Sequence, residues 1–325
     1  MERPIGGYFE LEQTCGQVHD FLHKDGVLLN TGHNALEYVL TSIGNIKKVY
    51  IPYYTCIVVL ESLKKLGIAF NFYRIDHRLE IAEKILLHEN EYIIYTNYFG
   101  VKDVYVNKLA SSYGEHLIVD CAQALFFEHI NGIKTIYSPR KFVGIPDGGV
   151  AYIDGGINPC NYNVDESDGR MAHLYIRREK GPQAGYATFQ ENEKKLSIQP
   201  IKNMSLRTKT LLENIDFNRV KENRRRNFRI LHEALASTNK LIVFLPLNLE
   251  DFACPMVYPY WTEDKELKSR LIKEQVFVAT YWPNVLKWAK PDMIEYEFAN
   301  NLLAIPCDQR YGEEDMNRII RLILS

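Results

Sequence analysis

Between Leu28 and Ile153 the sequence alternates short apolar runs, rich in β-branched residues, with segments whose apolar residues recur at helical spacing. Few architectures accept that alternation. Each short run must pair as a strand and each periodic segment must cover the resulting sheet, so an α/β fold with a mostly parallel sheet flanked by helices follows. Leu36, Val39, Leu40 and Ile43 mark one helix, which opens just after Thr31-Gly32 and ends near Gly44. Val49-Tyr50-Ile51 reads as a strand closed by Pro52, residues 55–66 as a helix, and residues 70–75 and 92–95 as further strands. Leu117-Ile118-Val119 is apolar on both faces, as a strand in the middle of a sheet is. It delivers Asp120 to a strand's carboxyl end, where open α/β sheets hold their ligands.

Residues 154–199 are polar and weakly periodic, an irregular excursion with one helix near 187–195. A long helical region spans about 206–235. Strands near 242–245 and 255–258 then alternate with helices near 263–274 and 313–324, the last striped by Met316, Ile319, Ile320 and Ile323. The division is a large domain over 1–216 and a smaller C-terminal α/β domain over 217–325.

Thirty-nine basic against 41 acidic residues leave a formal net charge of -2, which gives no field to attract nucleic acid or an anionic membrane. The run Arg224-Arg225-Arg226 reads as a solvated helix face. Cys15, Cys56, Cys121, Cys160, Cys254 and Cys307 show no metal-ligand spacing, so no metal site is expected. The N-terminus lacks the apolar core of a signal peptide, and no stretch approaches the roughly 18 apolar residues that cross a bilayer, so a reducing cytoplasm is expected. No GxGxxG follows the early strands, which disfavours a nucleotide-dependent dehydrogenase.

Chemistry concentrates in Tyr137-Ser138-Pro139-Arg140-Lys141-Phe142-Val143-Gly144-Ile145-Pro146-Asp147-Gly148-Gly149, a Gly- and Pro-rich turn between strand-like runs. Taken alone, Lys141 reads as a solvated loop lysine. Its company is Asp120 in Val119-Asp120-Cys121-Ala122-Gln123 and the helix start Thr31-Gly32-His33-Asn34. A carboxylate at a buried strand end requires a cation. A helix N-terminus offers free N–H groups to a phosphate. A lysine in a partly desolvated turn is a candidate imine-forming amine.

In this order the motifs resemble the DegT/StrS sugar aminotransferases, which are fold-type I pyridoxal-phosphate enzymes. The resemblance runs from Gly6-Gly7-Tyr8-Phe9 through Gly32, Ile51-Pro52-Tyr53-Tyr54-Thr55, Asp120-Cys121-Ala122-Gln123 and Lys141, and resumes at Leu303-Ala304-Ile305-Pro306. It implies pyridoxal 5'-phosphate as cofactor, Lys141 as the imine lysine, Asp120 against the pyridine nitrogen, and Gln123 beside the ring hydroxyl. Gly32, His33 and Asn34 would cradle the phosphate through main-chain N–H groups, with Ser138 as a side-chain ligand. Cys56, or else Tyr54, stands where relatives stack an aromatic residue on the ring.

Two departures stand out: Gly32-His33-Asn34 replaces the family's Gly-Thr-Ala, and the partner-subunit Asn-x-Arg segment is matched only by Asn203 to Arg207, which a helix cap at Ser205 explains as well. The implied activity is transamination of a keto-sugar nucleotide by glutamate or glutamine for surface polysaccharide. The implied partners are a small-molecule keto substrate and an amino donor, bound by a cytoplasmic homodimer with no nucleic acid and no membrane. A catalytically weak binding or regulatory protein of the same fold, and another fold-type I activity, are the alternatives.

Overall fold

In the computed structural model, which describes residues 3–14 and 16–325, Met1, Glu2 and Cys15 lie outside the described residues. Strand β1 (Ile5–Gly6) stands apart from the main sheet. That sheet comprises β2 (Val27–Leu29), β3 (Lys48–Pro52), β4 (Phe70–Tyr73), β5 (Glu91–Thr96), β6 (Leu117–Cys121), β7 (Lys134–Tyr137) and β8 (Gly149–Tyr152), in the order β2-β8-β7-β6-β5-β3-β4. Strands β3 to β7 are parallel, and β8 runs antiparallel to both of its neighbours. Chain order reverses between β3 and β5, which opens a crevice at their carboxyl ends. All five residues of β6 are buried, as its unbroken apolar run requires.

Helices α1 (Gly32–Ile43), α2 (Ile57–Lys65) and α3 (Asp103–Tyr113) connect these strands. Ala35, Leu36, Val39 and Leu40 of α1 pack in one cluster with Val49, Ile51, Ile94 and Ile118 of the sheet. Each large apolar side chain so buried contributes about 1.5–3 kcal/mol, which fixes the first turn of α1 against the sheet edge.

The excursion after β8 departs from the single helix expected there: α4 (Ala172–Lys180) and α5 (Pro182–Ser197) form a hairpin about Gly181, whose φ of +85° suits glycine. The long helical region is two helices, α6 (Leu206–Glu213) and α7 (Phe217–Leu235), with N-caps at Ser205 and Asp216. The strand expected at 242–245 is instead the short helix α8 (Lys240–Phe244), started by the Asn239 side chain accepting the Leu241 N–H. Only Leu241 of this helix is buried, so no strand-like apolar face was needed. The strand expected at 255–258 begins later, as β9 (Tyr258–Trp261).

The remaining elements are α9 (Leu267–Lys273), β10 (Val276–Phe277), β11 (Ala279–Thr280), α10 (Ile294–Asn301), β12 (Leu302–Ile305) and α11 (Glu313–Leu324). β11, β12 and β9 make a small antiparallel sheet, while β10 pairs in parallel with β1, register Ile5 to Val276. The N-terminal segment is thereby held against the last third of the chain. The Gly6 N–H donates to the Tyr311 hydroxyl at 2.8 Å, and Arg177 donates to the Gly6 carbonyl at 2.8 Å and the Glu10 carboxylate at 2.7 Å. No helix among the described residues is long and apolar enough to cross a membrane.

Arg224 on α7 overturns the reading of the arginine run as a solvated face. Its side chain is 0% exposed and donates to Gln309 Oε1, the Met256 carbonyl and the Phe142 carbonyl at 2.8, 2.8 and 2.9 Å. The guanidinium also lies 4.6 Å from the centre of the Phe142 ring. Arg225 and Arg226 likewise donate to backbone carbonyls, of Phe252 and Tyr311 among others. At Arg224 its three hydrogen bonds outweighed the solvation that its charge favours, while Arg225 is half-buried and Arg226 stays exposed as a solvated face would be.

Candidate active site

Strand β7 ends at Tyr137, and Pro139 then starts a tight turn over Pro139–Lys141 in which the Lys141 N–H donates to the Ser138 carbonyl at 3.1 Å. The residues after Lys141 are clamped from three sides. Arg224 and Gln309 Nε2 both donate to the Phe142 carbonyl, while Gln309 Nε2 also donates to Glu12 at 2.9 Å. The Glu12 N–H donates to the Gly144 carbonyl at 3.0 Å. A Cβ on Gly144 would fall 1.6 Å from the Glu10 carbonyl oxygen, so only glycine permits this approach. Burial pushes the Glu12 carboxyl up from its ordinary value, against the hydrogen bonds that Gln309 and Gly144 make to it.

Asp120 emerges at the carboxyl end of β6, in register with Thr96 at the end of β5. It is 8% exposed, and one oxygen accepts the Ala122 N–H at 2.8 Å. Burial raises its pKa, while the charge of Lys141 and the Ala122 N–H oppose the rise. Cys56, the N-cap of α2, feels both groups: burial raises its thiol pKa, Lys141 lowers it and Asp120 raises it. Lys141, Asp120 and Cys56 therefore share one electrostatic neighbourhood, although they are far apart in sequence.

Gln123 is fully buried, and its Oε1 accepts the Phe99 N–H at 2.8 Å. Phe99 sits at φ +56°, a costly left-handed conformation for a bulky residue, and this bond fixes it just beyond β5. The same bond fixes the amide's orientation, since a backbone N–H requires the oxygen. Among the described residues, Gln123 Nε2 is left buried with no partner, as are the hydroxyls of Thr96 and Thr55. Thr96 is the last residue of β5, and Thr55 and Gln123 lie just past the ends of β3 and β6, along the crevice.

At the start of α1 the expected phosphate cradle is only partly available. The Asn34 N–H donates to the Thr31 side chain at 2.9 Å, and the Asn34 amide donates to Asn30, Gln199 and Pro200. Asn34 thus serves the cap and the excursion, a departure from the expected cradle. The His33 ring lies 3.1 Å from Glu37, one turn along, and helps to lower the Glu37 pKa against the effect of burial. Its main-chain N–H has no acceptor among the described residues. Ser138 packs against the helix start: a Cβ on Gly32 would lie 3.2 Å from its hydroxyl oxygen. Tyr54, the alternative ring-stacking residue, is fully buried among Tyr98, Trp282 and Phe298, which leaves Cys56 beside Lys141.

A cavity of about 390 Å³ opens on Ser138 and Lys141, with Tyr8, Arg140, His173, Phe189, Glu193 and Arg224 among its walls. Sequence reasoning missed most of these. Arg140 was legible only as a neighbour of Lys141, and Thr96 could have been found as the residue that ends a strand at the crevice. His173 and Glu193 lie in the weakly periodic excursion and gave no signal. Arg207, by contrast, makes only an exposed pair with Asp168, and Ser205 caps α6 as a local reading allows.

No protein-family model and no curated protein matches the sequence. Solved structures do match in fold. A DegT/DnrJ/EryC1/StrS aminotransferase from Brucella abortus superimposes with a TM-score of 0.62 at 17% identity, over 94% of this chain and 86% of that one. PseC from Helicobacter pylori, an aminotransferase involved in the biosynthesis of pseudoaminic acid, gives 0.59 at 13% identity over 91% and 85%. NtdA from Bacillus subtilis, solved with the cofactor PMP bound, gives 0.63 at 15% identity over 92% and 72%. In architecture, then, this chain has the fold of the DegT/DnrJ/EryC1/StrS aminotransferases, the fold-type I arrangement of pyridoxal-phosphate enzymes.

Proposed function

We propose that the chain is a pyridoxal-phosphate-dependent aminotransferase that moves an amino group from glutamate or glutamine to a keto-sugar nucleotide for surface polysaccharide synthesis, as a cytoplasmic homodimer. The observation that carries this reading is the shared field of Lys141 and buried Asp120 at the carboxyl ends of parallel strands. The partnerless Thr96 hydroxyl and Gln123 Nε2 beside them support a polar ligand in the crevice. The residues fit the cofactor: a carboxylate for a protonated ring nitrogen, an amide donor for the ring oxygen, and a helix start with Ser138 for the phosphate. A further solved structure of similar fold, DesI in the presence of its TDP-sugar product, supports the sugar acceptor.

When bound, pyridoxal phosphate supplies an electron sink for the pair released when a carbon–hydrogen bond next to nitrogen breaks. Lys141 would hold the cofactor through its amine, and with that amine free it would take up the substrate proton and return it. The clamp on Phe142 holds the turn that carries Lys141, so the amine returns to one place after each cycle. Asp120 would face the ring nitrogen and favour its protonated form.

The test is the visible spectrum of protein incubated with pyridoxal phosphate and freed of excess, followed by borohydride reduction and peptide mapping. A yellow wild type that is reduced on the Lys141 peptide, beside a colourless Lys141→Ala, is the expected result. A wild type that takes up no cofactor defeats the reading.

A further inference from the structure

We infer that the cavity beside Lys141 is a carboxylate-binding subsite, in which Arg140 receives the distal carboxylate of the substrate and Glu193 of α5 occupies that place until the substrate arrives. The inference rests on Lys141 being the reacting amine, and it adds the group that orients a substrate there.

The argument starts from hydrogen-bonding capacity. Arg140 and Glu193 both line the cavity, and one terminal nitrogen of Arg140 is paired with one Glu193 oxygen. The Nε of Arg140 is buried and has no acceptor among the described residues. A guanidinium presents Nε–H and a terminal N–H side by side, spaced for the two oxygens of one carboxylate. Glu193 uses half of that edge. A buried donor left unmade costs about 1–3 kcal/mol, so the edge favours a ligand that fills both positions.

The other charged groups on the wall are already committed. Arg224 spends its nitrogens on Gln309, Met256 and Phe142. Asp308 is held by Arg310 at 2.7 Å, and that guanidinium keeps the Asp308 pKa below its ordinary value despite burial. His173 accompanies Arg140 but is held neutral, because burial first and the Arg140 charge second push its pKa down to about 4. Arg140 is therefore the cavity cation with capacity to spare.

Its present partner is easy to displace. The Glu193 side chain is 43% exposed, against 17% for Arg140, so Glu193 can swing into water while Arg140 stays in the cavity. Exchange of one carboxylate for another leaves the charge of the cavity unchanged. A substrate amine or carbonyl at Lys141 together with a second carboxylate at Arg140 describes an amino acid or oxo acid with an acidic side chain.

The test uses glutarate, a five-carbon dicarboxylate that carries neither amine nor ketone and so binds without reacting. Calorimetric titration of the full-length, cofactor-treated protein is expected to show saturable binding, weakened about tenfold or more in Arg140→Lys, which keeps the charge but loses the two-pronged edge. Glu193→Gln removes the competitor and is expected to bind glutarate several-fold more tightly. Unchanged affinity in Arg140→Lys, weaker binding in Glu193→Gln, or inorganic phosphate binding as well as glutarate would each overturn the inference. Glutarate binding that depends on Arg140 in a protein forming no Lys141 adduct would sink the aminotransferase reading alone. Adduct formation without such binding would sink this inference alone.

Discussion

A carboxyl group at the end of a buried strand resists ionisation unless a cation meets it, and Asp120 is in that position, its pKa raised by burial and pulled back by Lys141. Replacing it with the isosteric amide keeps the hydrogen bond to Ala122 within reach but removes the charge. We expect Asp120→Asn to fold normally and to form the Lys141 adduct, yet to turn over about a hundredfold or more slowly, because the missing charge acts on the transition state. Steady-state kinetics on keto sugars with glutamate check this; near-normal kcat would refute the role. Asp120 was legible in the sequence because an apolar run delivers it to a strand end. Arg224 was not, because its partners are carbonyls 32 to 82 residues away and a Gln 85 residues away. A triple-arginine run is locally indistinguishable from a solvated face.

At the scale of elements, α1, β3, α2, β4, β5 and β6 were legible because each is a run of one periodicity, whereas the short β1 and β2 and the mixed helix α3 were not read. Residues 242–245 were misread because Ile and Val suggest a strand, whereas Asn239 caps a helix there and packing overrode propensity. The hairpin of α4 and α5 escaped because its polar residues repeat without a clear stripe, and with it went His173 and Glu193. The contact between the N-terminal segment and the Lys141 turn gives a direct test. Gly144→Ala drives a Cβ into the Glu10 carbonyl, which is backbone and cannot rotate away. We expect a loss of about 3 kcal/mol or more in urea unfolding together with poorer formation of the Lys141 adduct. Gly169→Ala, with nothing within 4 Å of the new methyl group, serves as the control and should change neither.

For the molecule as a whole, the relevant variable is pH. Burial lowers the pKa of His23 and of His173 to about 4 each, against an ordinary value near 6.5. Between those values the unfolded chain binds protons that the fold refuses, so stability falls as pH drops from about 6.5 to 4, and each histidine contributes at most about 3 kcal/mol to the fall. Buried carboxyl groups with raised pKa, among them Glu12, Asp103 and Asp147, act in the opposite sense over the acid range. The informative quantity is therefore a difference. His173→Gln should flatten the decline in unfolding free energy between pH 6.5 and 4 relative to wild type, and an unchanged slope would remove His173 from the account.

The pairing of Ile5 with Val276 also imposes an order on biosynthesis. Ile5 leaves the ribosome long before Val276 exists, so the first strand must wait, unpaired, until Val276 has been made. Gly6, Gly7, Tyr8 and Phe9 wall the cavity beside Lys141, and they reach it only once β10 has been made. A nascent chain can thus fold its parallel sheet and expose Lys141 early, but it cannot enclose a substrate until β10 has followed.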